Sequence, residues 1–115
     1  MNYSNEIFKA TLQGGSTYSL NDGECTQDLF MVSSNHDLEL IVNVDNFSIT
    51  TITDYINSNK EILEHDNLFI GTWLNDNKVY LDISTGLSHS VALTLAGKLG
   101  EKAIFGIKEG IEIFL

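Results

Sequence analysis

Proline is absent from all 115 residues, arginine is absent as well, and cysteine occurs once. Each absence removes a class of structure or chemistry. Ordinary usage near 5% would put about six prolines in a chain of this length, so its turns must be made by Gly, Asn, Asp and Ser. Without arginine there is no bidentate guanidinium grip on a phosphate or carboxylate. A lone Cys25 permits no intramolecular disulfide and no multi-cysteine zinc or iron-sulfur site, and it reads as a small apolar filler or an inert thiol. Positive charge is scarce altogether: six lysines face 16 acidic residues, for a net charge of -10. Phosphate neutralisation needs clustered cations, so direct nucleic-acid binding is excluded, and the same repulsion argues against an anionic lipid surface. No run approaches the roughly 18 apolar residues that span a bilayer. The first ten residues have neither the basic nor the apolar segment of a secretory leader, so the expected location is the cytoplasm.

What remains describes a folded protein. An apolar fraction of 43% with only 19% charged residues suits a globular core rather than an acidic tail. The expectation is one compact α+β domain over residues 1–115, with antiparallel sheet and two helices. Charge divides it unevenly. Residues 1–66 hold eleven acids against two lysines, a net -9, whereas residues 67–115 hold five acids against four lysines, a net -1. Such an asymmetry marks the first half as the place to look for a functional face.

In that half, residues 7–12 and 17–20 read as strands around the turn residues Gly14, Gly15 and Ser16. Another strand is expected over residues 29–33, followed by a polar turn at Asn35, His36 and Asp37. Residues 38–44 alternate, with Leu38, Leu40, Val42 and Val44 on one face, the pattern of a half-buried strand. Ser48 is placed to cap a helix over residues 49–62, in which Ile49, Ile52, Ile56 and Leu63 recur at helical spacing and Asn57, Ser58 and Asn59 threaten a break. In the second half, residues 68–74 and 78–84 read as strands joined at Asn75, Asp76 and Asn77, residues that tolerate positive φ. Ser88 then caps a helix whose Val91, Leu95 and Leu99 form a stripe beside Ala92 and Ala96, and Gly100 supplies its left-handed stop. Residues 103–107 and 111–115 make a last hairpin across Lys108, Glu109 and Gly110. If that hairpin lies at a sheet edge, Ile111, Ile113 and Phe114 are available to pair two copies of the chain.

This hairpin, helix and hairpin pattern resembles small accessory proteins of bacteriophages and prophages. The residues that carry the resemblance are Gly71, Thr72 and Trp73, the run Val79, Tyr80, Leu81, Asp82, Ile83 and Ser84, then Ala92 and Ala96, and finally Ala103, Ile104, Phe105 and Ile107 before Gly110. The resemblance covers under half of the chain and implies a viral origin, with the host cytoplasm as the place of action. By analogy of class, a small acidic phage protein without enzyme motifs is expected to inhibit host defence, as anti-CRISPR and anti-restriction proteins do.

Candidate chemistry is thin. The histidines His36, His65 and His89 neighbour Asp37, Asp66 and Ser90, but there is no Gly-x-Ser-x-Gly elbow and no His-Glu-x-x-His helix, so no catalytic residue is assigned. Gly97, Lys98, Leu99 and Gly100 fall at a helix end, where the dipole is negative, and lack the phosphate-loop pattern. No segment has the EF-hand order, so neither a metal nor another cofactor is expected. Trp73, Tyr80 and Phe105 are expected in the core. Three carboxylate pairs stand two residues apart, Asp22 with Glu24, Asp37 with Glu39, and Glu64 with Asp66. In an extended segment that is about 6.6 Å on one side of the chain, comparable to the spacing of backbone phosphates. The expected partner-binding residues are therefore Asp22, Glu24, Asp28, Asp37, Glu39, Glu61, Glu64 and Asp66, which would occupy the basic nucleic-acid-binding surface of a defence nuclease or effector complex. Two other readings stand beside this one. The first is an oligomeric small-ligand binder that sequesters a signalling nucleotide through Lys78, Lys98, Lys102 and Lys108; the second is a structural phage protein.

Overall fold

A computed structural model describes residues 3–33, 36–65, 67–101, 103–108 and 110–115. The chain opens with a helix, α1 (Ser4–Leu12), where a strand was expected. The reason lies in the burial pattern: Ser4, Ile7 and Thr11 are buried at helical spacing while Lys9 is exposed, whereas a strand would have put residues 7, 9 and 11 on one face and residue 4 on the other. Two short strands follow, β1 (Gly15–Ser19) and β2 (Gly23–Glu24). Then come β3 (Phe30–Ser33), a 3₁₀ turn at His36–Leu38, β4 (Leu40–Asn43) and a second 3₁₀ turn at Val44–Asn46. The expected strand over residues 38–44 is thus shorter at both ends. Leu38, Val42 and Val44 pack on the core as the alternation requires, but Leu40 is 36% exposed.

Helix α2 (Ile49–Ser58) starts where Ser48 indicated. The Thr51 N–H donates to Ser48 Oγ while the Ser48 N–H donates to Thr51 Oγ1, a reciprocal capping box. It breaks at Asn59, whose side-chain amide donates to the Tyr55 carbonyl, and a further turn, α3 (Lys60–Leu63), completes it. Strands β5 (Leu68–Asn75) and β6 (Lys78–Leu87) form a hairpin whose two turn residues, Asp76 and Asn77, both take positive φ, at 51° and 63°. That geometry matches the strand twist and is open to Asn and Asp. Helix α4 (His89–Leu99) ends on Gly100 at φ 71°. Its inward face differs from the expected stripe: Ala92 and Ala96 are fully buried, while Val91 and Leu99 are about half exposed. Small side chains let the helix lie close against the sheet, which turns the larger ones outward. Strands β7 (Ala103–Gly106) and β8 (Ile111–Phe114) make the last hairpin.

All eight strands join one antiparallel sheet in the order β2-β1-β5-β6-β3-β7-β8, with β4 also paired to β6 beyond the end of β3. The two halves of the sequence therefore interleave, since β3 from the acidic half lies between β6 and β7. Register assigns the faces. Ile70, Val79, Leu81 and Ile83 point to one side, against Ile7, Ile52, Tyr55 and Leu63 of α1, α2 and α3. Val32 and Ile104 continue that side and meet Ala92 and Ala96 of α4. A radius of gyration of 13.3 Å is that of one body at this length.

Candidate functional site

With the described helices on one face, the other face of the sheet carries none, and its curl buries Met31, Phe69, Asp82 and Ser84. Its side chains follow from the register in rows across the strands. Gly15, Trp73, Tyr80 and Ile41 make one row; Thr17, Gly71 and Asp82 make the next; Phe69, Ser84 and Ser33 make a third; Gly86, Met31, Phe105 and Glu112 make a fourth. The sheet curls so far that Glu24 and Cys25 at one end and Phe105, Ile107 and Glu112 at the other line the same groove, of about 720 Å³. Trp73 and Tyr80 stack face to face, ring centroids 5.0 Å apart and planes within 3°. Trp73 and Phe105 are each 37% exposed. The core placement expected for the three aromatics is therefore corrected: strand alternation sends Ile70, Thr72 and Leu74 to the helices and Trp73 to the groove.

Behind the groove, α1 is fastened to the sheet by hydroxyls. Thr11 Oγ1 donates to the Ile7 carbonyl at 2.6 Å, Thr11 and Thr72 hydroxyls lie 2.6 Å apart, and Thr72 in turn is 2.6 Å from Ser16 Oγ. Tyr55, buried behind β6, donates its hydroxyl to the Leu38 carbonyl at 2.7 Å. Burial first, then the Asp82 and Glu39 carboxylates, push the Tyr55 phenol well above its ordinary value. The Cys25 thiol at the groove rim is raised mainly by burial as well, which favours the protonated, unreactive form.

The eight acids expected to meet a partner are distributed rather than gathered. Asp22, Asp28 and Glu61 are exposed on separate elements, a turn, a loop and α3. Glu24 belongs to the groove rim, and Glu64 lines a smaller cleft of about 310 Å³ and lies 4.0 Å from the Lys60 ammonium. Asp66 lies outside the described residues. Asp37 and Glu39 do come together, and the fold adds Asp54 from α2: all three line an open cleft of about 530 Å³ between the first 3₁₀ turn and α2. Among the described residues no lysine lines that cleft. The regular 6.6 Å ladder is not realised, because Asp37 sits in a 3₁₀ turn and Asp22 in a turn closed by Gly23 at φ 80°.

Comparison with known protein families, with curated proteins and with solved structures finds no match. The site is therefore read on its own chemistry. Among the described residues, no three of His, Cys, Asp and Glu gather so as to hold a metal ion. His65 is exposed, and His89 lies on the first turn of α4 with its ring 4.7 Å from that of Phe30. None of Lys78, Lys98 and Lys108 lines the groove, and Lys102 lies outside the described residues. Among the described residues, no helix is long and apolar enough to cross a membrane. Sequence reasoning missed Asp54 and the groove residues Thr17, Asp82 and Glu112. A period of two in residues 78–84, with Val79, Leu81 and Ile83 inward and Tyr80, Asp82 and Ser84 outward, was the available signal.

Proposed function

We propose that this chain is a non-enzymatic binding protein that docks on a basic surface of a host protein, in the manner of a phage-encoded inhibitor seated on a defence nuclease or effector complex. The docking face is the rim made by the first 3₁₀ turn, β4 and α2. The observation that carries this reading is the meeting of Asp37, Glu39 and Asp54 in one open cleft, drawn from two separate stretches of sequence and uncompensated by any described lysine. Exposed Leu40 and Ile49 stand on the same elements and on the helix side of the sheet, so apolar contact adds to charge. Acidic residues on such a rim steer a basic partner and raise its association rate, whereas the adjoining apolar side chains slow its escape. Charge of this kind fits a basic surface without copying the spacing of a nucleic-acid strand. Cytoplasmic action and viral origin belong to the same proposal, and they rest on the sequence resemblance.

The test is capture from a host lysate with the wild-type chain and the triple variant Asp37→Lys, Glu39→Lys, Asp54→Lys in parallel, followed by affinity measurement over a salt series. The expected result is a partner held by the wild type alone, with affinity falling steeply from low to physiological salt and a loss of about tenfold or more in the variant. Undiminished binding by a folded triple variant overturns the docking face.

A further inference from the structure

Strand β4 leaves one of its edges open. It pairs with β6 alone, and among the described residues no strand lies along its other edge. The pairing fixes which groups that edge presents. The Val44 N–H donates to the Asn77 carbonyl at 2.8 Å, and antiparallel pairing alternates from there, so Leu40 and Val42 turn their main-chain groups toward β6. Ile41 and Asn43 turn theirs outward. The N–H and C=O groups of these two residues therefore make an edge of the kind that accepts a further strand. Many natural edges are blunted by lysine or proline, and Leu40, Ile41, Val42 and Asn43 include neither. Leu40 is 36% exposed on the helix side, and Ile41 is 48% exposed on the opposite face.

We infer that this edge takes an extended basic segment of the partner protein as an added strand, with lysine or arginine side chains on the helix side and apolar side chains on the face of Ile41. The inference rests on the docking rim proposed above and names the form of what that rim binds. Charge selects the occupant: the helix side of the edge borders the cleft that Leu40 shares with Asp37, Glu39 and Asp54, which no described lysine lines. Strand alternation fixes the rest. A residue opposite Ile41 exchanges both main-chain bonds with it and lays its side chain beside Ile41, in the row of Tyr80 and Trp73. The residues on either side of it point toward the acidic cleft and direct their own amides away from β4. Main-chain bonds hold such a segment whatever its sequence, and the alternation of basic with apolar side chains makes the choice specific. A second copy of this chain is a poor occupant, since residues 1–66, which supply the rim, hold eleven acids against two lysines.

The whole chain is titrated with the end-blocked peptide Lys-Val-Lys-Val-Lys-Val by calorimetry at low salt, and amide hydrogen exchange is followed in the complex. Saturable binding is expected, with exchange at Ile41 and Asn43 slowed about tenfold or more. Methylating the valine amides removes the donors aimed at β4 and is expected to weaken binding about tenfold or more, whereas methylating the lysine amides, which point away, leaves affinity within about threefold. On the protein side, Asn43 has φ -67°, the angle that proline imposes. Asn43→Pro therefore removes one outward donor while keeping the β6 pairing, and a loss of about tenfold is expected. The acidic peptide Glu-Val-Glu-Val-Glu-Val is expected not to bind. Equal binding of the valine-methylated peptide or of the acidic one overturns the inference, as does failure of the basic peptide to bind the wild-type chain. If Asn43→Pro does not fold, the two methylated peptides decide. The triple variant at residues 37, 39 and 54 separates this inference from the reading it rests on. If that variant loses the peptide while valine methylation changes nothing, the acidic rim stands and strand addition falls; if it holds the peptide undiminished, the rim falls and the inference with it.

Discussion

At the scale of single residues, the polar groups placed behind the sheet have clearer consequences than those on its surface. Tyr55 is 6% exposed and donates to the Leu38 carbonyl, which joins α2 to the segment that carries Asp37 and Glu39. Tyr55→Phe removes the donor from a partly buried carbonyl, so a cost of about 1 kcal/mol is expected in chemical denaturation. The same residue sets an alkaline limit. Its folded phenol ionises above the ordinary 10.0, because burial and then the carboxylates of Asp82 and Glu39 disfavour the phenolate. Above that ordinary value the unfolded chain releases the proton and the folded chain keeps it, so the unfolded state binds fewer protons and stability falls as pH rises. Tyr18 is raised in the same direction, again by burial first. Denaturation midpoints are therefore expected to hold steady from neutral pH to about pH 9 and then decline, with a smaller decline in Tyr55→Phe. An equal decline in the variant would assign the limit to other groups.

At the scale of elements, local signals set the ends of helices while packing set their faces. The reciprocal bonds of Ser48 and Thr51 fix where α2 begins. Ser48→Ala is expected to lower stability by about 1 kcal/mol, roughly 4 °C in melting temperature, and to loosen the cleft of Asp37, Glu39 and Asp54 by fraying its helix wall. A thermal scan checks the first effect and salt-dependent partner binding the second. Similar local chemistry made the β5–β6 turn legible, because Asp76 and Asn77 are residues that accept positive φ. In α4, Gly100 marked the C-terminus in the same way. The inward face of α4 was not legible: Val91, Leu95 and Leu99 make the more apolar stripe, yet the alanines give the closer approach to Val32 and Ile104. The residues of α1 misled for a related reason, since six positions with mixed apolar and polar residues fit either period, and only the exposure of Lys9 between buried Ile7 and Thr11 separates them.

At the scale of the whole molecule, the long strand β6 is the organising element. It pairs with β5 along one edge and with β4 and β3 in turn along the other, so its amides are shielded on both sides. Hydrogen exchange is expected to be slowest in β6 and β5 and fastest in β2 and β8, which end the sheet. Protection of β8 equal to that of β6 in dilute solution would contradict this order. Protection of β8 that grows with protein concentration would instead reveal pairing of two copies through the edge that leaves Phe114 76% exposed. The curl of the same sheet creates the groove, since it brings the β2 end and the β8 end over one concave face.

The sequence by itself determined the net negative charge, and it determined the α+β class, the helix that starts after Ser48 and the four-strand pattern of the second half, because each of these last three depends on residues close together in the chain. Period, caps and turn residues act over a few positions and leave a local mark. Only the tertiary structure decided that β3 enters between β6 and β7, that all helices share one face, and that Trp73 and Phe105 look into a groove instead of a core. It also decided which of the many acids are neighbours: Asp37 and Glu39 meet Asp54, while Asp22, Asp28 and Glu61 stand apart. The physical reason is that strand pairing and sheet curl are long-range choices, made by the burial of Ile70, Leu81 and Ile83 against the helices, and a charge count cannot register where that burial leaves the charges.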